Sequence, residues 1–291
     1  MNIDTLIDDI HEKVDAGFEP NEDHMQSFLD AMKWAVTRQM TPSERGQRNT
    51  LRMSNIGKPD RQLWYEINGG VDREELNPST RLKFLFGDMV EALLIFLIRE
   101  SGHELTDEQA KVEVDGIVGH MDCSIDGVPT DIKSASAYAF KKFKDGTLTD
   151  QDKDGKYYND PFGYIAQISS YAYAKKSEEA AFFAMDKQSA KLALMPVHEM
   201  DMIDVPARIK HMKEVVARDT PPEKCFKPVP DGKSGNMKLN VNCSYCAFKV
   251  GCWSDANDGK GLRLFLYGNG PRWLTTVERE PDVFEKEQVY G

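Results

Sequence analysis

The segment Gly119–Lys133, GHMDCSIDGVPTDIK, constrains this chain more tightly than any other stretch. Asp126-Gly127 is a two-residue hairpin signal of the kind that favours a type I′ turn. With those two residues as the turn, Ile125 pairs with Val128, Asp122 falls opposite Asp131, and His120 falls opposite Lys133. Strand side chains alternate with period two, so all four project from one face. Directly opposed Cβ atoms stand about 5 Å apart, where like charges repel. Two facing aspartates therefore require a cation, a shared proton or bulk water. A hard divalent cation bound by carboxylate oxygens meets that requirement. An ordinary hairpin with a solvated acidic face meets it equally well. Cys123 alternates with Asp122 and should pack into the core.

Upstream, TRLKFLFGDMVEALLIFLIR runs from Thr80 to Arg99, with Asn77-Pro78-Ser79 as a helix start and Ser101-Gly102 as a stop. Its apolar residues cover nearly the whole circumference from Phe84 to Ile98, which predicts a largely buried helix. Glu91 sits in its middle. A buried carboxylate is costly unless it is paired or binds a metal, so Glu91 is either salt-bridged or a third acid aimed at the same cation. Downstream, PFGYIAQISSYAYAKK reads as helical and makes Gln167 and Tyr171 neighbours on one face.

The ordered set Gly87-x-x-x-Glu91, Gly119-x-x-Asp122, Asp131-x-Lys133 and Gln167-x-x-x-Tyr171 resembles the PD-(D/E)XK nucleases. It is most similar to their RecB-type branch, which includes the CRISPR adaptation nucleases and the AddB nuclease domain. The segment from Ser54 through Arg61 to Tyr65 is similar to the serine and arginine segment that precedes the core in that branch. The likeness runs from about Arg52 to Trp253. It implies an α/β, restriction-endonuclease-like fold with a mixed central sheet flanked by helices. It also implies Mg²⁺ or Mn²⁺ held by Glu91, Asp122, Asp131 and the Ile132 carbonyl, with Lys133 stabilising charge or orienting water. Gln167 and Tyr171 would position the phosphate backbone or the lysine, and Ser54 and Arg61 would contact DNA. Two departures stand out. Glu91 occupies a position where the branch usually has histidine, which removes a nitrogen ligand and leaves Mg²⁺ at least as suitable as Mn²⁺. Pro59 stands where cluster-bearing members place their first cysteine.

Cys225, Cys243, Cys246 and Cys252 all fall late in the chain. NCSYCAFKVGCW resembles the C-terminal cysteine block of the iron–sulfur nucleases, with Cys225 as a relocated fourth ligand. Four thiolates suit an iron–sulfur cluster (4Fe–4S) or a structural Zn²⁺. The family pattern favours iron–sulfur. Two disulfides are disfavoured, because no signal peptide is evident and the family works in a reducing cytosol.

A net charge of −11 opposes a nucleic-acid partner at first sight, yet much of the acid lies at the two ends of the chain. Basic residues gather elsewhere: Lys141, Lys142 and Lys144; Arg208, Lys210, His211, Lys213 and Arg218; and Lys224, Lys227, Lys233 and Lys238. A local basic channel suffices to follow phosphates. Asp231-Gly-Lys-Ser-Gly235 lacks the full spacing of a phosphate loop and reads as a turn. No apolar run is long enough to span a membrane.

The expected organisation is a helical segment at 1–50 (a lid or an oligomer contact), a nuclease core at 51–222, a cysteine module at 223–255 and a tail at 256–291. The expected function is metal-dependent exonuclease action on single-stranded DNA or duplex ends. Its setting would be recombination, repair or replication in the cytoplasm of a bacterial or phage-infected cell, alongside recombination or replication proteins. The competing expectation is a non-catalytic DNA-binding module that keeps the nuclease fold.

Overall fold

Asn21 accepts hydrogen bonds from the backbone N–H groups of Asp23 and His24 and thereby starts the second of two N-terminal helices, α1 (Leu6–Ala16) and α2 (Glu22–Met40). The computed structural model describes residues 1–41 and 49–286. The chain divides into two units. One holds the N-terminal helices with Thr50–Gly57 and Leu76–His211; the other holds Lys58–Glu75 and the residues from Met212 onward.

Helix α3 (Asp60–Asn68) belongs to the second unit. In the first, α4 (Pro78–Glu100) starts and stops where its caps predict: Asn77 accepts from the Thr80 N–H, and Ser101 and Gly102 follow the last turn. Only its C-terminal half is buried, through Val90, Ala92, Leu94, Phe96 and Ile98. Leu82, Phe84 and Phe86 remain exposed, so the expected burial of the whole helix is corrected.

Strands β1 (Leu105–Thr106), β2 (Lys111–Val114), β3 (Ile117–His120), β4 (Cys123–Ile125) and β5 (Val128–Ala135) follow. Then come α5 (Ala137–Lys144), α6 (Tyr164–Lys175), β6 (Glu179–Asp186), β7 (Leu192–His198) and α7 (Val205–Val216). The main sheet has the order β1-β4-β5-β6-β7. β5 and β6 pair in parallel and the other neighbours antiparallel, giving a mixed sheet with helices against it. Cys123 is fully buried among Val90, Leu94, Ile98 and Phe183, as its place on β4 predicts.

The hairpin forms in the predicted register, Ile125 against Val128 and Cys123 against Thr130, with Asp126 and Gly127 both at positive φ. The ladder ends there. β3 turns away to pair with β2 as a separate two-stranded sheet, and His120 faces Lys111. The expected pairing of His120 with Lys133 is therefore corrected. Gly119 explains the departure: a Cβ there would lie 2.7 Å from the Met53 side chain, so the strand is committed to packing under Met53.

The described part of the N-terminal segment packs on α4 within the first unit. Leu6 and Ile10 of α1 are buried in the same cluster as Leu94, Ile98 and Phe183, while α2 lies along α4 through Phe28 and Phe96, whose ring centroids are 5.4 Å apart. On the other helices, Phe143 of α5 meets Phe182 edge-on at 5.5 Å.

A Cβ on Gly57 would lie 2.4 Å from the Gly163 Cα, so two backbones touch where α6 begins. Gly57→Ala is expected to lower stability by roughly 1–3 kcal/mol. Gly268→Ala, where a Cβ meets nothing within 4 Å, should be nearly neutral. Denaturant midpoints of the two variants check the contrast.

The second unit carries β8 (Val229–Pro230), β9 (Met237–Lys238), β10 (Arg263–Tyr267), β11 (Gly270–Thr276) and β12 (Phe284–Lys286) in one five-stranded sheet of order β12-β10-β11-β9-β8. The residues expected as a tail thus supply most of a sheet. Asp231–Gly235 is the turn between β8 and β9, closed by the Ser234 hydroxyl donating to the Asp231 carbonyl at 2.9 Å.

Candidate active site

β5 places Asp131 and Lys133 two residues apart, hence on one face. Asp131 is 2 % exposed, and its Oδ2 meets the Lys133 ammonium as an ion pair. No hydrogen-bond donor reaches that oxygen with good geometry. Lys133 also lies over the Tyr164 ring, 4.9 Å from its centroid. Burial works against the lysine's charge, but the Asp131 and Asp122 carboxylates outweigh it and hold its pKa above the usual lysine range.

Asp122 stands just before β4, at the point where the hairpin ladder lapses. Its Oδ2 accepts the Ile132 N–H at 2.8 Å, so a carboxylate takes the place of a strand partner. Ile132 itself is buried in mid-strand, opposite Phe183 of β6. Burial pushes the Asp122 pKa well above the carboxylate range, and the charges of Asp131 and Glu91 push it further.

Glu91 arrives from α4. Gly87, one turn earlier, sits where a Cβ would be 3.4 Å from the Ser134 hydroxyl on β5, so helix and strand are close at this level. The Gln109 amide donates to Glu91 Oε1 at 2.9 Å. Burial, then Asp131, then Asp88 raise the Glu91 pKa to about 7. Asp88 is held by the Gln39 amide at 2.8 Å. The three predicted acids thus act on one another electrostatically from a helix, a strand junction and a strand. Each is also engaged by a donor or cation of the protein. Among the described residues, no three His, Cys, Asp or Glu side chains stand grouped as a ready metal cage.

A carboxyl whose pKa is higher in the folded state stabilises the fold while protonated, and that contribution fades as pH rises through the folded value. In metal-free buffer, Glu91 should therefore cost the protein about 2–3 kcal/mol between pH 4.5 and about 7. Glu91→Gln is expected to flatten this fall, as read from denaturation midpoints across that range.

Gln167 and Tyr171 are joined: the Gln167 amide donates to the Tyr171 hydroxyl at 2.9 Å. That hydroxyl donates in turn to the His120 carbonyl at 2.8 Å. The pair braces the backbone two residues before Asp122. Burial and the nearby Asp131 charge raise the Tyr171 pKa, which keeps it a donor. Ser54 is exposed on a short 3₁₀ turn, Met53–Asn55, that lies against β3. Motif spacing did not reveal Gln109, Asp88 or Tyr164. The composition of α6 gave one usable signal, an aromatic at its first position.

Arg61 lies on α3, in the second unit. It lines a small cavity of about 30 Å³ together with Tyr65, Lys224, Phe248, Trp253 and all four late cysteines. The cysteines are free thiols. Burial raises the pKa of all four thiols, and polar neighbours work against it: the Arg61 and Gln62 backbone at Cys225, the Trp253 side chain at Cys243, the Phe248 backbone at Cys246 and the Arg61 side chain at Cys252. Burial, then the neighbouring sulfur of Cys246, raises Cys243 to about 12; burial raises Cys246 to about 11. All four cysteines line one cavity, a donor set whose chemistry suits a thiolate-bound metal, although among the described residues the sulfurs do not stand grouped as a formed site.

No family model and no curated protein matches the chain. Among solved structures it is similar to one described as SSO0001, at 13 % identity and a TM-score of 0.39, covering 76 % of this chain and 93 % of that one. It is also similar to the alkaline exonuclease LHK-Exo from Laribacter hongkongensis, at 15 % identity and a TM-score of 0.37, covering 59 % and 86 %. The same exonuclease in complex with dAMP gives 14 % identity and a TM-score of 0.33, covering 66 % and 89 %.

Proposed function

We propose that this protein is a divalent-metal-dependent deoxyribonuclease that hydrolyses phosphodiesters from DNA ends. The observation that supports this reading is that Glu91 and Asp122 both feel the charge of Asp131, which is itself ion-paired with Lys133. Burial and the Asp131 charge raise the cost of ionising Glu91 and Asp122, which makes the cluster a standing demand for positive charge. The poorly satisfied Asp131 Oδ2 and the all-oxygen donor set fit a hard cation such as Mg²⁺ or Mn²⁺. When bound, such an ion polarises the scissile phosphate and lowers the pKa of an attacking water.

The chain's own residues do the rest. Glu91, Asp122 and Asp131 hold the cation, with the Ile132 carbonyl as a further ligand. Lys133, kept protonated by its acidic neighbours, stabilises charge on the phosphate oxygens as the bond breaks. Gln167 and Tyr171 fix the bend that aims Asp122. Ser54 offers a hydroxyl to the strand. The four cysteines hold a metal centre in the second unit, and their resemblance to the cluster block of the family favours iron–sulfur over zinc.

End-labelled linear DNA and closed circular DNA, incubated with and without Mg²⁺, test the reading. Cleavage of the linear substrate alone, dependent on Mg²⁺, supports it. Tight binding without cleavage in Mg²⁺ or Mn²⁺ replaces it with a DNA-binding scaffold. A readout independent of turnover is available. Mg²⁺ is expected to raise the melting temperature of the wild type, while Glu91→Gln, which removes both repulsion and ligand, melts higher without metal and gains little from it. A thermal-shift titration measures both.

A further inference from the structure

Arg61 sits in a segment whose sequence pointed to DNA contact, yet its side chain is occupied within the second unit. Nη1 donates to the Pro222 carbonyl at 2.5 Å, and the guanidinium lies over the Tyr65 ring, 5.3 Å from its centroid. It lines the same cavity as Cys252, whose thiol feels its charge. Three cationic side chains line the cysteine cavity. Lys224 is paired with Asp255 and stacked on Trp253; Lys249 is paired with Glu74. Arg61 has no carboxylate partner among the described residues, and its Nε is buried without a hydrogen bond. The thiol of Cys252 is the first acidic group its charge acts on, ahead of Tyr65.

We propose that Arg61 is the counter-cation and positioning residue of the four-cysteine centre rather than a DNA contact. The proposal rests on the reading of those cysteines as a metal centre. Four thiolates around a dipositive ion or cluster leave about two negative charges. The N–H groups at the start of α3 offset part of this at Cys225. Arg61 offsets more at Cys252, and its attachment to Pro222 ties the loop carrying Cys225 to α3. Partners that orient and neutralise metal ligands typically change metal affinity by about 10–100-fold when removed.

The test uses the full chain, loaded anaerobically, with metal content followed under increasing chelator. Arg61→Met, which keeps the stem over Tyr65 without charge, is expected to release metal at a chelator concentration about 10–100-fold lower than wild type. Arg61→Lys, which keeps the charge without the fork, should recover part of that loss. Lys224→Met, which breaks an already neutralised pair, should lie within about threefold of wild type. If the centre is iron–sulfur, Arg61→Met should also shift its potential negative, about 59 mV for each tenfold loss in the stability of the reduced form relative to the oxidised form. DNA affinity, compared at equal metal content, should not change. Wild-type metal retention in Arg61→Met overturns the proposal, most clearly if its DNA affinity falls. A wild type with no metal at its cysteines removes the cofactor reading and the proposal together, whereas a metal insensitive to position 61 removes only the proposal.

Discussion

Replacing Lys133 with alanine should lower Mg²⁺-dependent DNA cleavage by roughly 10²–10³-fold, about 3–4 kcal/mol of transition-state stabilisation. The size follows from its setting. The ammonium is 20 % exposed, paired with a carboxylate that is 3 % exposed and lying on an aromatic face, so it works in a medium that weakens electrostatics less than water does. The loss should appear in kcat more than in KM, because charge on the phosphate grows as the bond breaks. The same variant also leaves Asp131 without its cation, which makes the acid cluster more negative. Its Mg²⁺-induced rise in melting temperature should therefore persist or grow. A variant that lost cleavage and the metal response together would place Lys133 in the support of the fold rather than in the chemistry. Unchanged cleavage would overturn the nuclease mechanism.

Much of this site could be read from the chain because its determinants are local. The turn at Asp126-Gly127 needs only two residues that accept positive φ, and that turn alone fixes Ile125 against Val128. Asn77 starts α4 through a hydrogen bond three residues away. The glycines of the motifs mark contacts as well as signatures: Gly87 lets α4 approach Ser134, and Gly119 admits Met53. The failures have the opposite character. Continuation of the hairpin to His120 looked inevitable from alternation, but β3 had a competing partner in β2. The exposure of Phe84 and Phe86 on α4 depends on what packs against that helix, which periodicity cannot show. Gln109 reaches Glu91 from a loop outside every motif. The hydrogen bond from Arg61 to the Pro222 carbonyl spans 161 positions and has no local signal.

Stripping the metal from the four-cysteine centre should melt the second unit's cysteine region while leaving β5 and β6 protected. The apolar support there is thin. One small cluster joins Trp64, Tyr65, Val215 and Phe248 to Cys246 and Cys252; another joins Leu239, Trp253, Ala256 and Leu262 to Cys243 and Cys252. Cys252 belongs to both, so a centre bound there links two patches that are each too small to be stable alone. For comparison, structural zinc in small domains contributes roughly 10–16 kcal/mol of binding energy to folding. Cys246→Ala should reproduce the effect of the chelator, because it removes a ligand while keeping the backbone carbonyl that accepts from Lys249. Amide hydrogen exchange is the decisive measurement. After chelation, protection should fall in Asp60–Asn68 and in the residues from Leu239 to Leu262. It should persist in β6, which is buried at every position after its first. Equal protection with and without metal would mean that the two clusters hold themselves together and that the cysteines are packing residues. A uniform loss across both units would mean that the chain unfolds as one cooperative body, with the metal centre stabilising all of it.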